Sequence, residues 1–206
     1  MRKIKLILLF CAVFLSILLL TGDKDRIQAD DDDSNFTNLV VFARFAGETE
    51  FINDVYEGSS VRKITDNSYN VGSYSVGDYY RCVSDNKLRM RSVYLYDNGG
   101  SIVLSHPRGY YAEYSDTNTI GYKDASERAS RMYELRQEWS EAVNNAISSG
   151  NKISDYNDTV HYDYGVLDKD NNGTIDSITI IYKNNESGNI SVSYTHLRAH
   201  ETDQYL

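Results

Sequence analysis

The chain is short of the residues that most constrain a backbone: it has one Pro and two Cys in 206 residues. Cys11 lies in an apolar leader, so Cys82 would stand alone after processing, and an intramolecular disulfide is excluded. Positive charge is also scarce, with 15 Lys and Arg against 26 Asp and Glu in residues 30–191. That acidic balance argues against nucleic acid or an anionic membrane as partner, and suits a protein that works among divalent cations. No nucleophile elbow, P-loop, Gly-rich dinucleotide fingerprint or H-E-x-x-H pair occurs. Several catalytic classes therefore lack their residues here.

What is present begins with an export leader. Arg2, Lys3 and Lys5 precede the apolar run Leu6 to Leu20, which is too short for a comfortable membrane span. Residues 1–29 read as a signal peptide cut after Ala29, with Ile27 at the −3 position. The expected location is extracellular or cell-wall-associated. A secreted domain without disulfides needs another stabiliser, and bound metal is one.

Asp168-Lys169-Asp170-Asn171-Asn172-Gly173-Thr174-Ile175-Asp176 supplies a candidate. Side-chain oxygens recur at Asp168, Asp170 and Asn172, the Thr174 carbonyl would follow, and Asp176 adds another carboxylate. Ca²⁺ takes six to eight hard oxygen ligands, and alternate residues of a tight loop can aim theirs at one centre. Gly173 provides the turn that a Cβ resists. The complete loop pattern wants a bidentate Glu at its twelfth position, which here is Thr179, and no helices flank it. The alternative is an Asp/Asn/Gly-rich turn entering a strand.

Along the chain, residues 30–37 form an acidic lead-in, of which Asp30 to Asn35 is expected to be disordered, and Asn38–Phe45 reads as a central strand covered on both faces. Residues 46–74 suggest a surface excursion with a short helix or two. Ser75 opens a short helix with Val76, Tyr79, Tyr80 and Val83 expected on its inner face. Leu88 to Tyr96 alternates, and the Asn98-Gly99-Gly100 turn predicts a hairpin over 87–105. Asp124 and Glu127 make a capping box, and an apolar stripe from Ala125 to Ile147 runs to a stop at Gly150. This predicts an amphipathic helix over 125–148, followed by a strand over 177–182. The class is α+β or α/β.

Other groups weigh less. His106 and His161 lack partners at ligand spacing, and Cys82 reads as half-buried and structural. Asp155, Asp158 and Asp163 are further calcium ligands or solvated loop residues. Residues 192–206 resemble translated adapter read-through and read as a non-native tail. Their His196, His200 and Glu201 do not match the order of a zinc helix.

Taken in order, the strand Asn38–Phe45, Ser75-Val76-Gly77-Asp78-Tyr79-Tyr80 running to Leu88, Gly109-Tyr110-Tyr111, the long helix and Tyr164–Asp176 resemble the immune inhibitor A family of secreted zinc metallopeptidases. The resemblance spans about residues 38–186. It implies a zincin-like sheet in an incomplete catalytic domain (38–191), acting on protein or peptide substrates, with Zn²⁺ held by two His of an H-E-x-x-H helix and a further ligand. In the family that helix follows the strand placed at 177–183, so neither zinc ligands nor a general base can be assigned here. The competing expectation is a small secreted calcium-stabilised binding module with a Tyr-rich surface.

Overall fold

The computed structural model describes residues 34–183 and the strand at 191–193. The expected leader, and all of the expected tail beyond Ser193 with its His196, His200 and Glu201, lie outside the described residues. Asn35, expected to be disordered, is fastened through its side chain to Lys87 O and the Arg89 amide. The fold is a mixed α+β arrangement around one sheet.

Strand β1 (Phe36–Arg44) is the centre, starting two residues before the expected Asn38. Its period-two alternation divides the core. Leu39, Val41 and Ala43 face one cluster with Trp139, Val143 and Ala146, while Val40 and Phe42 face another with Phe51, Ile52, Val61 and Tyr94. The β2 (Val55–Tyr56) and β3 (Ser59–Ser60) hairpin leads into α1 (Val61–Tyr69). Helix α2 (Val76–Val83) precedes β4 (Met90–Leu95) and β5 (Ile102–Val103). After a 3-10 turn at Arg108–Tyr111 come α3 (Ala125–Ser148), β6 (Ile153–Ser154) and β7 (His161–Tyr162). A second 3-10 turn at Tyr164–Leu167 then leads to β8 (Ser177–Tyr182), and β9 (Ser191–Ser193) pairs antiparallel with β8. The sheet order is β7-β6-β4-β1-β8-β9, with β5 also on β1.

Helix α3 forms as its sequence dictates. The Asp124 carboxylate accepts from the Ser126 and Glu127 amides, and Gly150 at φ +87 ends the helix. There the Gly150 amide donates to Ile147 O and the Asn151 amide to Ala146 O, the paired bonds of a Schellman stop. Trp139, Val143 and Ala146 are buried, whereas Ala125 and Ala129, one end of the stripe, are exposed.

Four expectations are corrected. The 87–105 hairpin does not form, because β4 and β5 both pair parallel with β1 instead of with each other. The Asp97–Gly100 turn is made by its own two backbone hydrogen bonds, and the strand line resumes along β1 beyond it. Residues 46–74 are no mere surface excursion, since Phe51, Ile52, Val61 and Tyr69 build the second core. On α2, Tyr79 and Val83 are 61% and 62% exposed. That helix meets its neighbours closely at Gly77, where a Cβ would lie 3.1 Å from Tyr69 O and 3.2 Å from Met90 O. Cys82, on the same helix, is exposed rather than half-buried.

A buried polar node sets the register beside the calcium-type loop. Asn38 Oδ1 accepts from Ser177 Oγ and Thr179 Oγ1, both at 3.0 Å, and its Nδ2 donates to Ser92 Oγ at 3.2 Å. Buried polar groups without partners are costly, so a slip of β8 along β1 would lose the two bonds from Ser177 and Thr179.

Candidate metal centre

The loop between the second 3-10 turn and β8 folds around its own carboxylates. Asp168 Oδ1 accepts from the Asn172 amide at 2.9 Å and Oδ2 from the Gly173 amide at 2.8 Å. Asp170 Oδ1 also accepts from the Asn172 amide, at 3.2 Å. Gly173 has φ +86, which permits the chain to turn where Asn172 ends the acidic half.

Asp176 closes the loop and ties it to the central strand. Its Oδ2 accepts from the Thr37 amide at 3.0 Å, and Oδ1 from the Lys169 amide at 3.3 Å. The Asp176 amide in turn donates to Leu167 O at 2.8 Å. One carboxylate thus joins the loop's start, its end and β1.

Of the five expected ligands, Asp168, Asp170 and Asp176 converge, each offering an oxygen within 4.8 Å of the others. Asn172 turns its side chain into the loop: Nδ2 donates to Asp170 Oδ2 at 2.9 Å, and Oδ1 accepts from the Thr174 amide at 2.9 Å. Thr174 adds its hydroxyl to that same Asn172 oxygen. Thr179, the twelfth position, is buried in β8 with its hydroxyl on Asn38.

The electrostatics follow from this crowding. Burial raises the Asp176 pKa; the Thr37 and Lys169 amides pull it down, but Asp170 and Asp168 push it up again, and the net direction is upward. Like charges converging on one point are what a cation would relieve. The donors are all hard oxygens, which suits Ca²⁺ rather than a metal favouring nitrogen or sulfur.

The remaining candidates are elsewhere. Asp163 caps the second 3-10 turn through the Gly165 amide at 2.9 Å. Asp155 accepts from the Thr159 and Val160 amides, and Asp158 faces His161 Nε2 at 3.3 Å. His106 stacks on Tyr110 at 4.1 Å between ring centroids and faces Glu134 Oε1 at 3.2 Å. Thr37 was missed by sequence reasoning; its contribution is a backbone amide, which leaves no mark in residue type.

No protein-family model matches the chain, and no curated protein or solved structure matches it.

Proposed function

We propose that this chain is the N-terminal, sheet-forming part of a secreted zincin-type metallopeptidase catalytic domain, stabilised by calcium at loop 168–176 and without peptidase chemistry of its own. The observation that carries the reading is the position of the acidic group: Asp168, Asp170 and Asp176 converge where Asp176 fastens the entry of β8 to β1. The ordered resemblance of residues 38–186 to the immune inhibitor A family adds the peptidase part. Bound calcium would neutralise the converging carboxylates. Asp176 would then hold the Thr37 and Lys169 amides without the repulsion that now opposes its charge.

Zinc does not fit the residues present. The sequence contains no H-E-x-x-H, and among the described residues the one group of candidate metal ligands is the three aspartates. Protein or peptide substrates, and the zinc that would act on them, therefore belong in this reading to a longer chain. Among the described residues no helix is long and apolar enough to cross a membrane.

The test is direct. The purified full chain, supplied with Zn²⁺ and Ca²⁺, is expected to leave peptide substrates uncut. Cleavage abolished by a zinc chelator would contradict the inactive assignment. A long read of the source DNA across the codons for Asn189 to Leu206 tests the family part: the frame should continue into an H-E-x-x-H helix. A second reading, a calcium-stabilised binding module, draws on the exposed Tyr74, Tyr79, Tyr114 and Tyr133. An in-frame stop after Leu206 in the source DNA would favour it.

A further inference from the structure

The sequence contains two Asn-Gly pairs, Asn98-Gly99 and Asn172-Gly173. Both are exposed, and both hold glycine at positive φ, +77 and +86. Such a pair is a chemical weak point. The backbone nitrogen of the following residue can attack the asparagine Cγ, and glycine has no Cβ to obstruct the approach. Exposure does not separate the two sites; hydrogen bonding does.

At residue 172 the groups that must react are held. The Gly173 amide, whose nitrogen would be the nucleophile, donates to Asp168 Oδ2 at 2.8 Å. A carboxylate in that position forms a charge-assisted hydrogen bond and opposes loss of the amide proton. The Asn172 side chain is fixed at both ends, Nδ2 on Asp170 Oδ2 and Oδ1 on the Thr174 amide, each at 2.9 Å. At residue 98 the turn's reciprocal backbone bonds run between Asp97 and Gly100 and pass Gly99 by. Gly99 is held through its carbonyl, which accepts from the Arg62 guanidinium at 2.5 Å. Among the described residues its amide has no acceptor, and the Asn98 side chain makes one bond, from Nδ2 to Asp97 Oδ1 at 3.0 Å.

We propose that Asn98 is a site of spontaneous deamidation, and that the hydrogen bonds of loop 168–176 protect Asn172 from the same reaction. The Gly99 nitrogen gives its proton to solvent and bonds to Asn98 Cγ. The Cγ–Nδ2 bond breaks, and the side-chain nitrogen leaves as ammonia. Water then adds to one of the two carbonyls of the resulting five-membered imide and opens it. Opening at the backbone carbonyl gives isoaspartate, and opening at Cγ restores the main chain with aspartate. Either product places a new carboxylate next to Asp97. Isoaspartate also routes the main chain through the side chain, lengthening the turn that the Asp97 and Gly100 bonds close. The only co-reactant is water. The inference depends on neither the calcium nor the peptidase reading.

The experiment incubates the full chain in mildly alkaline heavy-oxygen water and follows label and isoaspartate at residues 98 and 172 by peptide mapping. In concentrated urea both pairs should convert at similar rates, because glycine follows each. In the native chain Asn98 should convert at least about tenfold faster than Asn172, as expected when one amide is held by a carboxylate and the other is not. Asp168→Ala frees the Gly173 amide and should bring residue 172 to within about threefold of residue 98, leaving residue 98 unchanged. Native rates at 98 and 172 that are equal overturn the proposal, as does a rate at 172 that a folded Asp168→Ala chain leaves unchanged. If Asp168→Ala unfolds, seen as both sites converting at their urea rates, the native and urea comparison on wild type decides alone.

Discussion

Glu50 and Asp176 are half-buried carboxylates that each close a turn by accepting backbone hydrogen bonds, and their acidities move in opposite directions. Glu50 accepts from Phe51 and Ile52 on Oε1 and from the Ser101 amide and hydroxyl on Oε2. Burial raises its pKa, but those bonds outweigh burial and the net shift is downward. Its charged neighbour is Arg44, at 3.6 Å. Asp176 has comparable amide bonds, but its charged neighbours are Asp168 and Asp170, and its net shift is upward. Similar backbone geometry therefore gives opposite electrostatics. The turn served by Glu50 has a cation beside its carboxylate, whereas the turn served by Asp176 sets its carboxylate beside two like charges.

The largest expected break of this contrast is Asp176→Ala. It leaves the Thr37 and Lys169 amides without their acceptor, worth about 1–3 kcal/mol. It also removes the calcium linkage, worth about 2.7 kcal/mol when the ion is at a hundredfold its dissociation constant. Urea unfolding with calcium and with chelator separates the two parts. Glu50→Ala should cost about 2 kcal/mol by orphaning the Phe51, Ile52 and Ser101 amides. Its loss should be the same with and without calcium.

Gly173→Ala forces a Cβ at φ +86 and should cost about 1 kcal/mol. Gly99→Ala, at φ +77 in the turn beside Glu50, should cost a similar amount. Only the first should also weaken the calcium response in a thermal melt.

The pH dependence sharpens the contrast. The native Glu50 value is depressed, so its contribution is present above the ordinary value of 4.5 and lost as pH falls through the native one. The native Asp176 value is raised, so in chelator its contribution is present below the ordinary 3.8 and lost as pH rises through the native one. Unfolding series of wild type against Glu50→Gln and Asp176→Asn should therefore slope oppositely. The smallest effect belongs to Asp170→Asn. It should stabilise the chelated protein by about 0.5 kcal/mol through reduced repulsion, and destabilise the protein in calcium.

Local signals were legible in the sequence. Asp124, Glu127 and Gly150 mark both ends of α3 because caps are made by near neighbours, and the loop's spacing survives folding because its bonds run between residues a few positions apart. Partners far along the chain were not legible. Asn98-Gly99 predicts a hairpin, and the turn forms, but β4 and β5 are claimed by β1, some fifty residues earlier. The α2 stripe predicts a buried face, yet the contact is set by the absent side chain of Gly77. The Thr37 amide, which completes the candidate site, is invisible to any reading of residue types.

Calcium titration of the full chain by calorimetry, with Mg²⁺ as control, tests the central claim most directly. The account predicts one ion bound per chain, a thermal midpoint that rises with calcium, and loss of both in Asp176→Asn. No binding heat and no shift of the midpoint at millimolar calcium would contradict it, leaving loop 168–176 as an acidic turn held only by its own amides.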